Sequence, residues 1–218
     1  MGLVSSSFGR SISSVWTLLV LGMAAAASMN ATSIALHPLT QGLGDPELVE
    51  IPIYLLLAFV CLVVHELGHV AAAKMAGWRV RSITVGPLSY SLEKRRFAVV
   101  KRDAFRLISG FVTAIPPADA RRKSRGAILF ILGGCIANFI LATLTFPFTG
   151  QLQNNWDSNT VGFALLGSLS IVSVTMGIAN LIPFAGFKGV RSDGLRLFEI
   201  FAQTFWPTST CRRKRRPA

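Results

Sequence analysis

Four stretches of this chain are apolar over about 20 residues or more, and this feature limits the possible folds more than any other. They run from Ser14 to Leu36, Ile51 to Gly77, Ala127 to Phe148 and Val161 to Pro183. A helix needs about 20 mostly apolar residues to cross a hydrocarbon core of roughly 30 Å. Only 15% of the 218 residues are charged, which is too few for an ordinary soluble surface. The sequence therefore predicts an integral, multi-pass membrane protein.

Basic residues are distributed unevenly between the segments that join these stretches. Segments 37–50 and 149–160 contain no Lys or Arg, whereas twelve lie between Trp78 and Gly126 and eight follow Pro183. Because Lys and Arg collect on the cytoplasmic side of a membrane, we expect both termini to be cytoplasmic. The net charge of +12 then indicates contact with anionic lipid headgroups, and we predict no nucleic-acid binding.

The predicted fold is an all-α polytopic membrane protein of about four transmembrane helices with a small cytoplasmic β-hairpin or sheet. The sheet is expected in segment 78–126, where short apolar runs are broken at Gly86-Pro87 and Pro116-Pro117. The first apolar stretch also fits a cleavable signal peptide. We favour a retained span, because the stretch is longer than a typical signal core.

The second apolar stretch contains the sequence His65-Glu66-Leu67-Gly68-His69. Two imidazoles four residues apart share a helix face and can bind one metal ion, while the adjacent Glu can accept a proton from metal-bound water. Ionisable residues inside a membrane span are costly to bury and usually functional. The alternative is that Glu66 pairs with Lys74 or a histidine and only supports packing. We interpret the motif as a metal site.

A catalytic zinc site has three protein ligands and one open position, so a third ligand must come from elsewhere in the chain. Asp193 and Glu199 lie just beyond the fourth apolar stretch, on the side of the membrane that His65 approaches. Glu199 would lie on the polar face of an amphipathic interfacial helix. We therefore predict Asp193 as the third ligand. Asp193 could also cap the helix that starts at Gly194, a role compatible with ligation.

Three cysteines, at positions 61, 135 and 211, form no paired framework. We interpret the two in apolar stretches as small buried hydrophobic residues. Cys61 precedes His65 by four residues and would share its helix face, but we do not count it as a ligand.

Three blocks of the sequence resemble the site-2 protease family of intramembrane zinc metalloproteases, in its compact form without a PDZ domain. The blocks are His65–His69, the glycine-rich Gly133–Phe139, and Asn180–Phe184 followed by Ser192-Asp193-Gly194. Together they cover residues 51 to about 200 in the family's order. Two features depart from the family pattern: Cys135 stands where proline is common, and residues 184–189 differ from the usual Pro-x-x-Pro-Leu-Asp-Gly type.

The resemblance divides the chain into an N-terminal transmembrane segment with an outer loop (1–50), a catalytic core (51–206) with its cytoplasmic insertion, and a basic cytoplasmic tail (207–218). It implies hydrolysis of peptide bonds within or near transmembrane segments. Zn²⁺ would be held by His65, His69 and Asp193, with Glu66 as the general base. Asn138 would contact substrate or, alternatively, only hold helices together.

The expected partners are a transmembrane protein substrate and membrane lipids, and the sequence leaves the oligomeric state open. The substrate must unwind locally, and a strand edge near residues 109–115 could hold it in extended form. A bacterial inner membrane is the expected location, although an organelle membrane is also compatible. The alternative function is a catalytically silent relative that binds membrane clients or handles metal. The presence of Glu66 argues against this alternative.

Overall fold

A computed structural model describes residues 22–30, 32–33, 36–37, 40, 44–100, 109–118, 120–153, 160–184 and 191–205. Its elements in chain order are α1 (Glu47–Met75), β1 (Arg79–Val85), β2 (Leu88–Ser91), β3 (Arg96–Val99), β4 (Gly110–Ile115), α2 (Ala120–Thr145), a 3₁₀ segment (Phe146–Gln153), α3 (Thr160–Leu181) and α4 (Asp193–Phe205). The chain is therefore mostly helical with one small sheet, as predicted. Residues 22–30 are helical, but most of the predicted first span and the whole basic tail lie outside the described residues.

Among the described residues, three helical segments are long and apolar enough to cross a membrane. They are Glu47–Met75 with 29 residues, Gly126–Thr149 with 24 and Val161–Leu181 with 21. Each coincides with one of the last three apolar stretches of the sequence. Large apolar side chains such as Leu55, Leu56 and Leu144 are more than half exposed on them. Such surfaces suit contact with lipid, because lipid tails are as apolar as the side chains themselves.

Helices α1 and α2 pack closely because glycines face each other at their contact. A Cβ atom on Gly68 would collide with the carbonyl oxygen of Gly133 and with the side chain of Ala137. Helix α3 is joined to α2 by hydrogen bonds, since Ser170 Oγ donates to the Ala142 carbonyl at 2.8 Å and Ser173 Oγ to the Asn138 carbonyl at 2.9 Å. Small residues and hydroxyl groups of this kind are typical contacts between membrane helices.

The insertion between α1 and α2 forms a four-stranded antiparallel sheet with the strand order β3-β2-β1-β4. A tight turn joins β1 to β2, and Gly86 adopts a φ of 56° there, which glycine accommodates without strain. Val80 and Val112 of the sheet form a small core with Ala73 of α1, and Phe130 of α2 packs against it. The sheet is thereby fixed against the ends of α1 and α2 that carry the polar residues described next.

Candidate metal centre

The two histidines of α1 point their Nε2 atoms towards each other. His65 and His69 are buried, and their Nε2 atoms lie 3.2 Å apart. Residues four positions apart lie one turn apart on the same face of a helix, which explains the pairing. The sequence prediction that both imidazoles could reach one point is therefore met by the geometry.

Asp193 completes a triangle with these two nitrogens although it lies 128 residues after His65 in the chain. Its Oδ2 atom is 3.1 Å from Nε2 of His65 and 3.2 Å from Nε2 of His69, and the side chain is buried. The structure thus brings together the three residues that the sequence analysis selected as ligands.

Ser192 holds the start of α4 in the position that allows this contact. Its hydroxyl accepts a hydrogen bond from the backbone N–H of Leu195 at 3.1 Å, which makes Ser192 the N-cap of α4. The same hydroxyl donates to the carbonyl of Ile182 at 2.8 Å and accepts from the N–H of Phe184 at 3.0 Å, which ties α4 to the end of α3. The suggested capping role of Asp193 is therefore wrong: Ser192 caps the helix, and the Asp193 carboxylate faces the histidines.

Gly194 allows the start of α4 to pack closely against the end of α3. A Cβ atom here would collide with the backbone of Leu181 and Ile182, so the start of α4 presses directly against the end of α3. A larger residue at position 194 would push α4, and Asp193 with it, away from the histidines.

Glu199, the other acidic residue considered as a ligand, points elsewhere. Both of its carboxylate oxygens accept hydrogen bonds from Nη1 of Arg191, at 2.9 and 2.8 Å, and this ion pair is exposed. Of the two candidates, Asp193 is the one that the fold brings to the histidines.

The electrostatics of Asp193 favour its charged form. Burial raises the pKa of this carboxyl group, but the hydrogen bonds from His65 and His69, together with their charge, outweigh burial and hold its pKa below the usual range. The group is therefore charged at neutral pH, which is the form that can bind a cation.

The separations of the three atoms fit a single small cation. Atoms bound to one tetrahedral zinc ion at about 2.0–2.2 Å lie about 3.4 Å from one another. The three observed separations are 3.1, 3.2 and 3.2 Å. Two imidazole nitrogens and one carboxylate oxygen are also the ligand types that zinc prefers in catalytic sites. The residues therefore fit a zinc ion.

The Nδ1 atoms of the histidines face away from this triangle and have partners of their own. His69 Nδ1–H donates to the carbonyl oxygen of Phe130 at 2.6 Å. His65 Nδ1 lies 3.3 Å from the side-chain amide of Asn138. Such outer contacts fix the tautomer of a metal-binding histidine and orient its ring.

Asn138 is the residue for which the sequence offered either substrate contact or a packing role. It is fully buried, and its Oδ1 has no hydrogen-bond partner among the described residues. Turning the amide over places this oxygen against His65 Nδ1–H, the tautomer that leaves Nε2 available to a metal. This orientation satisfies both groups, so we interpret Asn138 as a residue that positions His65.

Glu66 lies beside the histidines, buried like them. The carboxylate and one ring nitrogen of each of His65 and His69 lie within 4.8 Å of one another. Gly110, at the start of β4, packs directly against the carboxylate, and a Cβ atom there would collide with it. The sheet therefore limits where the Glu66 side chain can lie, a contact that the sequence did not reveal.

Helix α2 also faces the triangle, through Gly134 and Cys135. A Cβ atom on Gly134 would lie 2.6 Å from Nε2 of both His65 and His69. Cys135 is buried, and its sulfur lies within 4.8 Å of ligand atoms of His65 and Asp193. The sequence alone indicates only a small buried hydrophobic residue at Cys135, although its place in the same glycine-rich block as Asn138 is a signal for a position near the site.

Comparison with known proteins found one matching family model. The family model described as peptidase family M50 matches residues 53–160. The match covers the histidine motif and the block around Asn138, and it ends before Asp193. No curated protein and no solved structure matches the chain.

Proposed function

We propose that this chain, whose residues 53–160 match the model of peptidase family M50, is an intramembrane zinc metalloprotease. Its reaction would be the hydrolysis of peptide bonds within or near transmembrane segments of other membrane proteins. One observation carries the proposal: Nε2 of His65 and Nε2 of His69, on a helix long enough to span a membrane, converge with Oδ2 of Asp193 from α4 to within 3.2 Å of one another. Glu66, a potential base, is adjacent.

His65, His69 and Asp193 would hold the zinc ion. Bound there, zinc would supply a Lewis acid for the scissile carbonyl and lower the pKa of a water molecule. Phe130 and Asn138 hold the histidine rings in the orientation that this requires.

Glu66 would act as the general base. It takes a proton from the attacking water and passes it to the leaving amine, two steps that need a carboxylate close to the ligands but not committed to them. Packing of Gly110 against the carboxylate supports this role, because a side chain with little freedom stays near the reacting atoms.

The position of β4 at the end of the sheet supports a way of holding the substrate. In the strand order β3-β2-β1-β4 this strand lies at one end of the sheet, and it begins at Gly110, beside Glu66. A helical substrate hides its peptide groups in internal hydrogen bonds, so a segment pairing with β4 would present an extended peptide bond to the site. Phe111 and Ile115 of β4 are exposed and apolar, which suits an apolar substrate.

The test uses the full chain purified in detergent, with zinc content measured alongside cleavage of a panel of single-span peptides. Glu66→Gln should reduce cleavage by about 10²–10⁴-fold, the usual contribution of a general base, and should retain zinc. His65→Ala is the matched comparison and should lose both zinc and cleavage. Peptides N-methylated beside the cleavage site should be cut poorly if they pair with β4.

Two results would count against the proposal. If Glu66→Gln releases zinc to the same extent as His65→Ala, Glu66 is a ligand and not the base. If the unmodified protein binds zinc but cuts no peptide in the panel, the chain is better described as a silent relative that binds clients or metal.

A further inference from the structure

Cys135 lies beside the proposed metal ligands, a position that a role as a small buried hydrophobic residue does not explain. It lies on α2, directly after Gly134, and is 1% exposed. Its sulfur, a ligand nitrogen of His65 and a carboxylate oxygen of Asp193 all lie within 4.8 Å of one another. The thiol is therefore next to the proposed metal ligands and on the α2 face that points at them.

The other described cysteine provides an internal comparison. Cys61 lies one helical turn before His65 and is also fully buried. Its sulfur points to α3, where it donates a weak hydrogen bond to the Leu169 carbonyl at 3.9 Å. Among the described residues, Cys61 is in none of the groups that could hold a metal, whereas Cys135 is. Burial is the same for both cysteines, so burial does not explain the position of Cys135.

The surroundings of Cys135 supply a second observation. Asn138, one turn further along α2, is fully buried, and its side-chain amide contacts Nδ1 of His65 at 3.3 Å. Gly134 on the other side leaves open the space next to both Nε2 atoms. This face of α2 thus presents an amide, a thiol and an open space to the ligand cluster.

We propose that the Cys135 sulfur is an additional, exchangeable ligand of the metal ion. The inference rests on the proposed function, since it requires the ion. Thiolate binds zinc at about 2.3 Å and imidazole at about 2.0–2.1 Å, and separations within 4.8 Å allow both with small rotations of the side chains. On binding, the metal replaces the thiol proton, which is released to solvent, and no electrons are transferred.

Ligation by Cys135 has a functional consequence. A catalytic zinc site keeps its fourth position open, and the sulfur would fill that position. The form with sulfur bound is then a resting form, and displacement of the sulfur by water or substrate produces the form that can react. The thiol would also favour soft metals over Mg²⁺ or Ca²⁺ at this site.

The experiment loads the full chain with Co²⁺ in detergent and records absorption in the near-ultraviolet, where bound thiolate gives a charge-transfer band. We expect one cobalt-dependent band in the unmodified protein and in Cys61→Ser, and loss of the band in Cys135→Ser with the amount of bound cobalt retained. X-ray absorption of the unmodified zinc form should show one sulfur at about 2.3 Å, a result that does not depend on any variant folding.

Each remaining outcome overturns a specific statement. Bound cobalt without a charge-transfer band, or zinc without a sulfur neighbour, overturns the ligand role of Cys135 and leaves the metal site intact. A band that persists in Cys135→Ser overturns it as well. Failure of the unmodified protein to bind either metal contradicts the proposed function itself.

Discussion

Two buried carboxyl groups on α1, Glu50 and Glu66, show how differently one helix can accommodate the same chemical group. They lie about 24 Å apart along the helix axis and are 8% and 4% exposed. Glu50 accepts hydrogen bonds from the hydroxyl groups of Ser33 at 2.6 Å and Thr40 at 2.9 Å. Glu66 instead lies beside two imidazoles, those of His65 and His69. His65 in turn contacts a second carboxylate, that of Asp193.

The two regions differ in the groups that surround the carboxylate. At Glu50, neutral hydroxyl groups supply the hydrogen bonds that a buried carboxylate needs, so the region is complete as it stands. At the other end of α1, Nε2 of His65, Nε2 of His69 and Oδ2 of Asp193 meet within 3.2 Å, and each can offer a lone pair. Three such atoms close together form a site that can bind a cation. We therefore expect changes near Glu50 to affect stability alone and changes near Glu66 to affect metal binding.

The largest effect is expected from Gly134→Ala, which adds one carbon beside the ligands. That carbon would lie 2.6 Å from both Nε2 atoms, in the space that a metal would use, so we predict loss of bound zinc and of cleavage. Zinc content of the purified protein measures the effect.

Gly162→Ala is the matched control, because Gly162 on α3 has no atom within 4 Å of the position of an added Cβ. This variant should keep its zinc. Equal zinc content in Gly134→Ala and the unmodified protein would mean that the metal, if bound, is not at the histidines.

A smaller effect is expected from Asn138→Leu, which removes the amide but keeps most of the volume. Without an acceptor at Nδ1, the ring of His65 loses its orientation, and zinc affinity should fall about 10–100-fold, as is usual for outer-sphere partners. Competition with a zinc indicator measures the affinity, and Asn138→Asp, which retains an acceptor, should fall less. Unchanged affinity with lost cleavage would instead support the substrate-contact role.

The smallest effect on the site is expected from Glu50→Ala. Removing this carboxylate leaves the partly buried hydroxyl of Ser33 and the buried hydroxyl of Thr40 without their acceptor, which should lower the free energy of unfolding by about 1–3 kcal/mol. Zinc content should not change. A loss of zinc in this variant would show that the two ends of α1 are not independent, and the comparison would fail.

Features encoded by local patterns could be predicted from the sequence. The last three apolar stretches correspond to the three long helices, and the turn at Gly86-Pro87 lies within the predicted sheet. The pairing of His65 with His69 follows from their spacing alone. Asp193 could be selected because charge distribution and apolar stretches together placed the end of α3 on the side of the histidines.

Features that depend on the rotation of one helix against another could not be predicted. Whether Cys135 faces the ligands or the lipid depends on the rotation of α2 about its axis, which hydropathy does not determine for a helix that is apolar all round. The packing of Gly110 against Glu66 requires the registration of the sheet on α1. Ser192 and Asp193 are both good N-cap residues, and the sequence does not determine at which of them α4 begins. In the structure Ser192 accepts the capping hydrogen bond.

The central claim is that Asp193, and not Glu199, completes a metal site with the histidines. The most direct measurement is the zinc content of Asp193→Ala and Glu199→Ala, purified in parallel with the unmodified protein. Asp193→Ala should lose most of its zinc, because one of three converging atoms is removed. Glu199→Ala should keep its zinc and lose only an exposed ion pair with Arg191, worth at most about 1 kcal/mol. Loss of zinc from Glu199→Ala alone, with Asp193→Ala fully loaded, would contradict the account.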